Sequence, residues 1–371
     1  MKIAFVADTL HGWIGGGIIA GRRLVEELRR EHDVLTIGAD VPGPNRLVFP
    51  GFRLPGEGFR RMDFTMAYPH RPTLRRAFER VDLVHLHFPF WLSLVSVRVL
   101  RKMRRRPGVV ASFHVQPENA LMNLGVRSKT AARLMYRLWV DHLYDRADAV
   151  ICPTHFAEAK LREHGLRAPT YVISNGASPD LRERSYPREP AHRDRLVVLS
   201  VGRLSPEKRP EVLIDAVMRS RHRHRIVLIF AGAGLLEQAL IERARALPNA
   251  PEIGFVSRER LEYLLNIADL FVHGSEVELE GMAVLEAMST GRPVLVADSR
   301  ESAASSFALD DRFRFACGDP RALAEKLDAL LDDPALLAEA GARSRSAARQ
   351  LDFDRSTQSI VDVYRGVLAR R

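Results

Sequence analysis

Glu276, Glu278 and Glu280 crowd one short turn, and the residue types around them define what they could do. Carboxylates accept hydrogen bonds from hydroxyl groups, and a sugar is a cluster of hydroxyls. The turn follows an apolar run over 268–272 (ADLFV) that reads as a buried parallel strand. Past Gly281 the pattern becomes helical. Met282, Leu285 and Met288 fall on one face, and Gly291 with Pro293 closes the helix. A helix N-terminus collects unpaired N–H groups and partial positive charge, so the backbone at Met282 and Ala283 favours an anion such as phosphate. An acidic turn beside such a helix end suits a sugar nucleotide. On turn chemistry alone, glutamates that only stabilise the first helical turn fit equally well.

Spacing separates these two readings. Seven residues stand between Glu278 and Glu286, and Gly281 lies three after the first. This resembles the paired-glutamate motif of retaining glycosyltransferases with the GT-B fold, most closely glycosyltransferase family 4. The string VELEGMAVLEAMS, followed by GRPVLVADSRESAASSFAL, is similar to bacterial 1,2-diacylglycerol 3-glucosyltransferases. The resemblance covers essentially the whole chain, most strongly over 200–310 and most loosely over 40–75. It implies an α/β protein of GT-B fold, with two Rossmann-like, doubly wound parallel-sheet domains facing a cleft. The alternating strand and helix pattern calls for two such sheets independently. The expected first domain is 1–178, joined by a C-terminal helix over about 353–371 that crosses back. The second is 195–352. The polar, proline-containing stretch 179–194 reads as the linker.

The resemblance also implies roles. Arg203 and Lys208 lie five apart in RLSPEKRP, after a strand over 196–202, and match a diphosphate-binding basic pair. Arginine grips phosphate as a planar fork and lysine as a point charge. Helix-entry surface charges are the plainer alternative. Glu278 would hold sugar hydroxyls and Glu286 the ribose. Gly281, Met282 and Ala283 would meet the phosphates, and Phe255 with Val256 would lie beside the base. His114 ends the strand in VVASFHVQPEN, where open α/β sheets gather ligands, and would contact the transferred sugar. Gly16 and Gly17, in the triplet after the first strand, would face the donor. Their spacing is not the dinucleotide fingerprint. Gln116, Glu118 and Asn119 would touch the acceptor. Gly232 and Gly234 follow a strand over 225–231, where backbone could approach a ligand.

Other histidines and the basic residues of the first half carry further expectations. His85 and His87 in VDLVHLHF share a strand face. With no third ligand nearby they do not read as a metal site, and they are expected at the strand end, facing the cleft. Residues 1–178 hold 27 Lys and Arg against 16 Asp and Glu, net +11, while the remainder is at −1. An anionic surface is the expected partner of the first half. Over 42–72, Arg53, Arg60, Arg61 and Arg71 alternate with Phe52, Phe59, Phe64 and Tyr68, which suits either a lipid headgroup interface or a loop packed on the domain. The apolar stretch 91–106 has a cationic end. It reads as a helix whose cations complement its dipole, or as an interfacial helix with Trp91 and Leu92 near acyl chains. Residues 129–146 repeat this, with Leu134, Met135, Leu138 and Trp139 opposed to Arg133 and Arg137.

No nucleic-acid motif accompanies the charge, so nucleic acid is not an expected partner. Cys152 and Cys317 form no metal-type cluster and read as buried thiols in a reducing cytoplasm. Met1-Lys2 runs straight into IAFVA, so no signal peptide is expected, and no apolar stretch reaches membrane-spanning length. No Asp-x-Asp signature calls for a divalent ion, and no tightly bound cofactor is expected. The function implied is transfer of a hexose, glucose from UDP-glucose, to a lipid acceptor such as diacylglycerol. The anomeric configuration would be retained, at the cytoplasmic face of a membrane with the protein peripherally bound. Alternatives are a polysaccharide, phosphoinositide or small polyol acceptor, a GT-B sugar-nucleotide epimerase, and a non-enzymatic sugar-nucleotide sensor.

Overall fold

A computed structural model describes residues 1–11, 15–53 and 64–371. It divides into two units, Met1–Asn175 with Asp354–Arg371, and Gly176–Phe353. The first runs β1 (Lys2–Val6), α1 (Gly16–Leu28), β2 (Asp33–Gly38), β3 (Arg46–Val48), β4 (Gly51–Phe52), β5 (Met66–Ala67), α2 (Arg71–Phe78), β6 (Leu83–Leu86), α3 (Trp91–Leu100), β7 (Gly108–Ser112), α4 (Pro117–Asn123), α5 (Lys129–His142), β8 (Ala149–Cys152), α6 (His155–Glu163) and β9 (Thr170–Val172). The second runs β10 (Leu196–Val201), α7 (Pro210–Arg219), β11 (Ile226–Ala231), α8 (Glu237–Ala244), β12 (Glu252–Gly254), α9 (Arg258–Ile267), β13 (Leu270–His273), β14 (Val277–Glu278), α10 (Met282–Ser289), β15 (Val294–Asp298), β16 (Glu301–Ser302), β17 (Arg314–Ala316), α11 (Pro320–Leu331) and α12 (Pro334–Ala348). The last helix, α13 (Phe353–Ala369), packs in the first unit through Ile360, Val361, Tyr364 and Val367.

Each unit holds one all-parallel sheet. The first has the order β3-β2-β1-β6-β7-β8-β9, the second β12-β11-β10-β13-β15-β17. Their central strands are apolar on both faces because helices cover both sides, as parallel crossovers require. Phe5 and Leu83 are fully buried in one sheet, Val198 and Phe271 in the other. Ser128, Thr154 and Ser257 start three of the helices by accepting a backbone N–H. Such a cap contributes about 1 kcal/mol. In each sheet the chain winds outward in opposite directions from one adjacent pair, β1/β6 and β10/β13. The carboxyl ends of those strands are where such sheets form ligand crevices.

Several expectations change. The stretch 179–194 belongs to the second unit as a packed strap. Leu181 is buried, the Arg184 N–H donates to Asn266 Oδ1 at 2.7 Å, and Arg188 pairs with Asp269 at 2.6 Å. The helix expected over 91–106 stops at Leu100. Leu92 is fully buried and Trp139 nearly so, so neither presents to a lipid surface. Trp91 stays partly exposed beneath the Arg98 guanidinium. Leu134 and Leu138 are the exposed apolar residues of α5. Cys152 is buried, and burial pushes its thiol up to about 12, whereas Cys317 is only partly covered. Within 42–72, β4 pairs with β5, and Phe64 packs against Phe88 and Phe90. Phe59, Arg60 and Arg61 lie outside the described residues. Gly232 and Gly234 are required by close backbone packing. A Cβ on either would fall 1.8 Å from the Gly202 carbonyl oxygen or 2.4 Å from that of Leu204.

Candidate active site

In the second unit, the loops leaving β10 and β13 meet at the switch point. The loop after β10 carries Arg203, Ser205, Glu207, Lys208 and Arg209. Glu207 is fully buried. Its carboxylate accepts from Arg203 Nη2 at 2.9 Å and Ser205 Oγ at 2.7 Å. Its carbonyl accepts the Glu276 N–H at 2.8 Å, which ties the acidic turn to the basic loop. Lys208 Nζ forms an ion pair with Glu278, and Arg209 forks onto Glu276 with contacts of 2.8 and 2.6 Å. Burial alone would raise the Glu278 pKa, but the Lys208 ammonium, with His273, outweighs it and holds the carboxyl well below the usual range. A small cleft opens here, lined by Ser200, Gly202, Arg203, Lys208 and His273 among others.

The turn ends at Gly281, whose φ of 98° starts α10. That left-handed value is open to glycine and costly to other residues. The Val284 and Leu285 N–H groups already bond the Gly281 carbonyl. The N–H groups of Met282 and Ala283, both half-buried, precede the first intrahelical bonds. One turn on, Glu286 is buried with an oxygen 3.7 Å from Arg258 Nη1, and Arg258 also reaches Ser178, just before the strap. Phe255, after β12, is 59% exposed, and Val256 beside it is half-buried. The second unit thus brings Arg203 and Lys208 to one cleft and joins Lys208 to Glu278, with α10 starting four residues further along the chain and Glu286 one turn into that helix.

The first unit holds the other expected residues. Gly16 opens α1, and Gly17 lies beneath His114, where an added Cβ would be 3.3 Å from the His114 Cβ and 3.1 Å from the Phe88 ring. His87 Nε2–H donates to the Gly17 carbonyl at 2.7 Å, and its ring centroid is 4.4 Å from that of His114. Both imidazoles are held neutral. Burial lowers His87 to about 4 despite the Gly17 bond, and burial followed by the neighbouring histidines lowers His114 well below its ordinary value. His85 is a core residue rather than a strand-end ligand. It stacks on Phe5 and bonds the Tyr364 hydroxyl at 2.7 Å and Ser112 at 3.0 Å. Gln116 is buried, and Glu118 and Asn119 are half-buried on α4. Among the described residues no group of three metal-ligating side chains occurs.

Sequence reading passes over His273 and Glu207. His273 ends β13 as His114 follows β7, so the strand-end signal was available. Glu207 sits among cations in RLSPEKRP and reads as surface charge.

Comparison with known proteins places this geometry. Residues 14–181 match the family described as Glycosyltransferase Family 4, and 182–349 that described as Glycosyl transferases group 1. A D-inositol 3-phosphate glycosyltransferase 2 of Catenulispora acidiphila is 30% identical over 307 residues, 76% of this chain and 70% of its own. The chain belongs to glycosyltransferase family 4. A GDP-mannose-dependent alpha-mannosyltransferase of Mycolicibacterium smegmatis is 28% identical, covering 81% of this chain and 80% of its own. An alpha-monoglucosyldiacylglycerol synthase of Streptococcus pneumoniae is 23% identical, covering 80% and 70%. The crystal structure of Anabaena Alr3699/HepE in complex with UDP-glucose superposes with a TM-score of 0.78 at 20% identity, over 99% of this chain and all of that one. The fold is GT-B. The family 4 enzyme is a glycosyltransferase that moves a sugar from a nucleotide sugar. Among the described residues no helix is long and apolar enough to cross a membrane.

Proposed function

We propose that this transferase moves glucose from UDP-glucose to a membrane lipid such as diacylglycerol, with retention of the anomeric configuration. The observation that supports the donor half is the ion pair that joins Lys208, beside Arg203 in the cleft, to Glu278 in the turn leading into α10. Arg203, Lys208 and the N–H groups of Met282 and Ala283 take the charge that develops on the departing diphosphate. Groups aimed at developing charge act most strongly in a partly dry site. Glu278 accepts hydroxyls of the sugar, and Glu286 those of the ribose. Exposed Phe255, with Val256, borders the base. His114, held neutral beside Gly16 and Gly17, offers its imidazole to a sugar hydroxyl. The leaving phosphate accepts the acceptor's proton, so no second carboxylate base is needed.

The acceptor half rests on the first unit. Helix α5 presents Leu134 and Leu138, 59% and 48% exposed, flanked by exposed Arg133 and Arg137. Leu124 and Val126 just before it are also exposed. Apolar side chains among arginines suit an anionic lipid surface, with the leucines in the acyl boundary. In this reading the enzyme works peripherally on the cytoplasmic face of a membrane, with its acceptor near Gln116, Glu118 and Asn119. The similarity to a glucosyldiacylglycerol synthase supports a lipid acceptor. The similarity to a GDP-mannose-dependent enzyme supports a second reading in which the donor is GDP-mannose.

The test is nucleotide release from UDP-glucose, with and without diacylglycerol in anionic liposomes, with lipid products analysed. The expected result is diacylglycerol-dependent UDP release and a new glycolipid. Release from GDP-mannose alone, or only onto soluble polyols, would discard this donor–acceptor pair.

A further inference from the structure

The cleft at the second switch point has a polar wall that the roles above leave unassigned. His273 is the last residue of β13 and is 3% exposed. It lines the cleft together with Arg203 and Lys208. Its Nε2 is buried with no hydrogen-bond partner among the described residues and lies 3.4 Å from Glu278 Oε2, at the outer reach of a hydrogen bond. Its N–H is therefore a second donor facing the carboxylate that Lys208 also grips.

Lys208 has two calls on it. As a flexible point charge it serves whichever anion is nearest. A diphosphate in the cleft competes with Glu278 for the same ammonium. If Lys208 alone held Glu278, donor binding would release the carboxylate that has to recognise the sugar. His273 is not mobile in that way. Its ring is fixed at a strand end and lies nearly parallel to Phe271, at 13°. The next residue, Gly274, packs against the Lys208 backbone, where an added Cβ would be 3.3 Å from the Lys208 carbonyl oxygen. The histidine is thus held in register with the basic loop.

We propose that His273 is a positioning residue for Glu278, donating from Nε2–H to its carboxylate so that Glu278 keeps its orientation while Lys208 serves the phosphate. This rests on the reading of Glu278 as the sugar-binding carboxylate. It makes His273 a determinant of the sugar end of the donor and not of the nucleotide end, where Glu286 and Phe255 stand.

The test compares His273→Leu with His273→Gln, which keeps a donor. His273→Leu is expected to raise the KM for UDP-glucose about tenfold and to lower kcat about tenfold. Its Kd for free UDP should stay within twofold. His273→Gln is expected to recover most of the loss. A KM and kcat both within twofold of wild type in His273→Leu would overturn the role. So would an equal loss of UDP affinity, since that marks a collapsed cleft. A second measurement needs no donor. Imidazole 15N–1H spectra of the unliganded protein should show His273 protonated at Nε2, with that proton's shift moving upfield in Glu278→Gln. An unchanged shift overturns the coupling. Should the wild type turn over no nucleotide sugar, the donor reading fails by itself, and the imidazole spectra still decide whether His273 holds Glu278.

Discussion

The two units place ligand-facing loops at the same topological point and furnish them with opposite chemistry. At β1/β6 the polar groups are neutral imidazoles, a glycine-rich helix start and Asp8, a buried carboxyl that burial raises to about 7. His87 is fully buried, and among the described residues neither it nor His114 meets a carboxylate in an ion pair. At β10/β13 the same loops carry three cations matched to three carboxylates, Arg203 with Glu207, Lys208 with Glu278 and Arg209 with Glu276. A site built from paired ions can accept a doubly charged ligand by exchanging partners. A site built from neutral groups suits hydroxyls. The difference gives the proposed diphosphate site in the second unit a physical ground of its own, apart from any likeness to other proteins.

The largest effect that could break this comparison is on turnover. Arg203→Ala and Glu278→Ala should each lower the transfer rate by roughly a hundred- to a thousand-fold, about 3–4 kcal/mol of barrier. Circular dichroism and urea unfolding should show a folded protein in both. Near-normal rates in either variant would remove that residue from the site, and near-normal rates in both would erase the contrast between the two switch points.

The next contrast is in pH dependence, and it falls on the first unit. His87 has a folded pKa of about 4 against an ordinary 6.5, because burial disfavours its charged form. Below pH 6.5 the unfolded chain takes up a proton that the folded one refuses. Stability therefore falls as pH drops from 6.5 towards 4, by about 2 kcal/mol at pH 5 from this residue. Asp8 works against this. Burial raises it to about 7 from 3.8, although the Ala67 N–H bonds its Oδ1 at 3.0 Å. Its folded form holds the proton longer, so its contribution falls as pH rises from about 3.8 to 7. In Asp8→Asn that opposing slope is gone. Urea unfolding of the first unit should show the variant more stable than wild type at pH 8, by about 1–2 kcal/mol after the cost of burying an unpartnered amide. Its loss between pH 7 and 5 should also be steeper. A midpoint of Asp8→Asn that is flat from pH 7 to 5 would mean the histidines titrate normally, because in wild type the Asp8 slope offsets that of His87 over this range.

How much of this was legible in the sequence depends on range. The strand-end positions of Arg203, Lys208 and His114 could be read because apolar runs mark strands and their carboxyl ends gather ligands. Glu278, Gly281 and Glu286 could be picked out through their likeness to the family's paired-glutamate motif. The strap 179–194 could not. Its anchors, Asn266 and Asp269, lie some eighty residues away, and a polar stretch bonded to distant groups has no local periodicity. Trp139 and Leu92 could not be assigned to core or surface for a related reason. In a helix whose apolar residues cover more than one face, sequence does not say which face meets the sheet. His85 illustrates the same limit, since its partner Tyr364 arrives from the far end of the chain.

The smallest effect concerns the backbone. Arg209 has φ 50° and ψ 42°, and among the described residues it is the only non-glycine with positive φ. It sits between Lys208 and α7, at the basic loop of the second unit. The first unit shows no such residue among those described, so local strain falls on the side of the paired ions. Left-handed backbone costs a side chain about 1 kcal/mol, while the Arg209–Glu276 pair, roughly one-quarter to one-third exposed, returns about 0.5–1 kcal/mol. Arg209→Ala loses the pair and keeps the strain, so it should be less stable than wild type by about 0.5–1 kcal/mol. Arg209→Gly loses the pair and the strain together, and should lie within about 0.5 kcal/mol of wild type. The gap between the two variants in urea unfolding measures the strain directly, because the pair is absent from both. If alanine and glycine prove equally stable, Arg209 stores no strain, and the units differ only in how they handle charge.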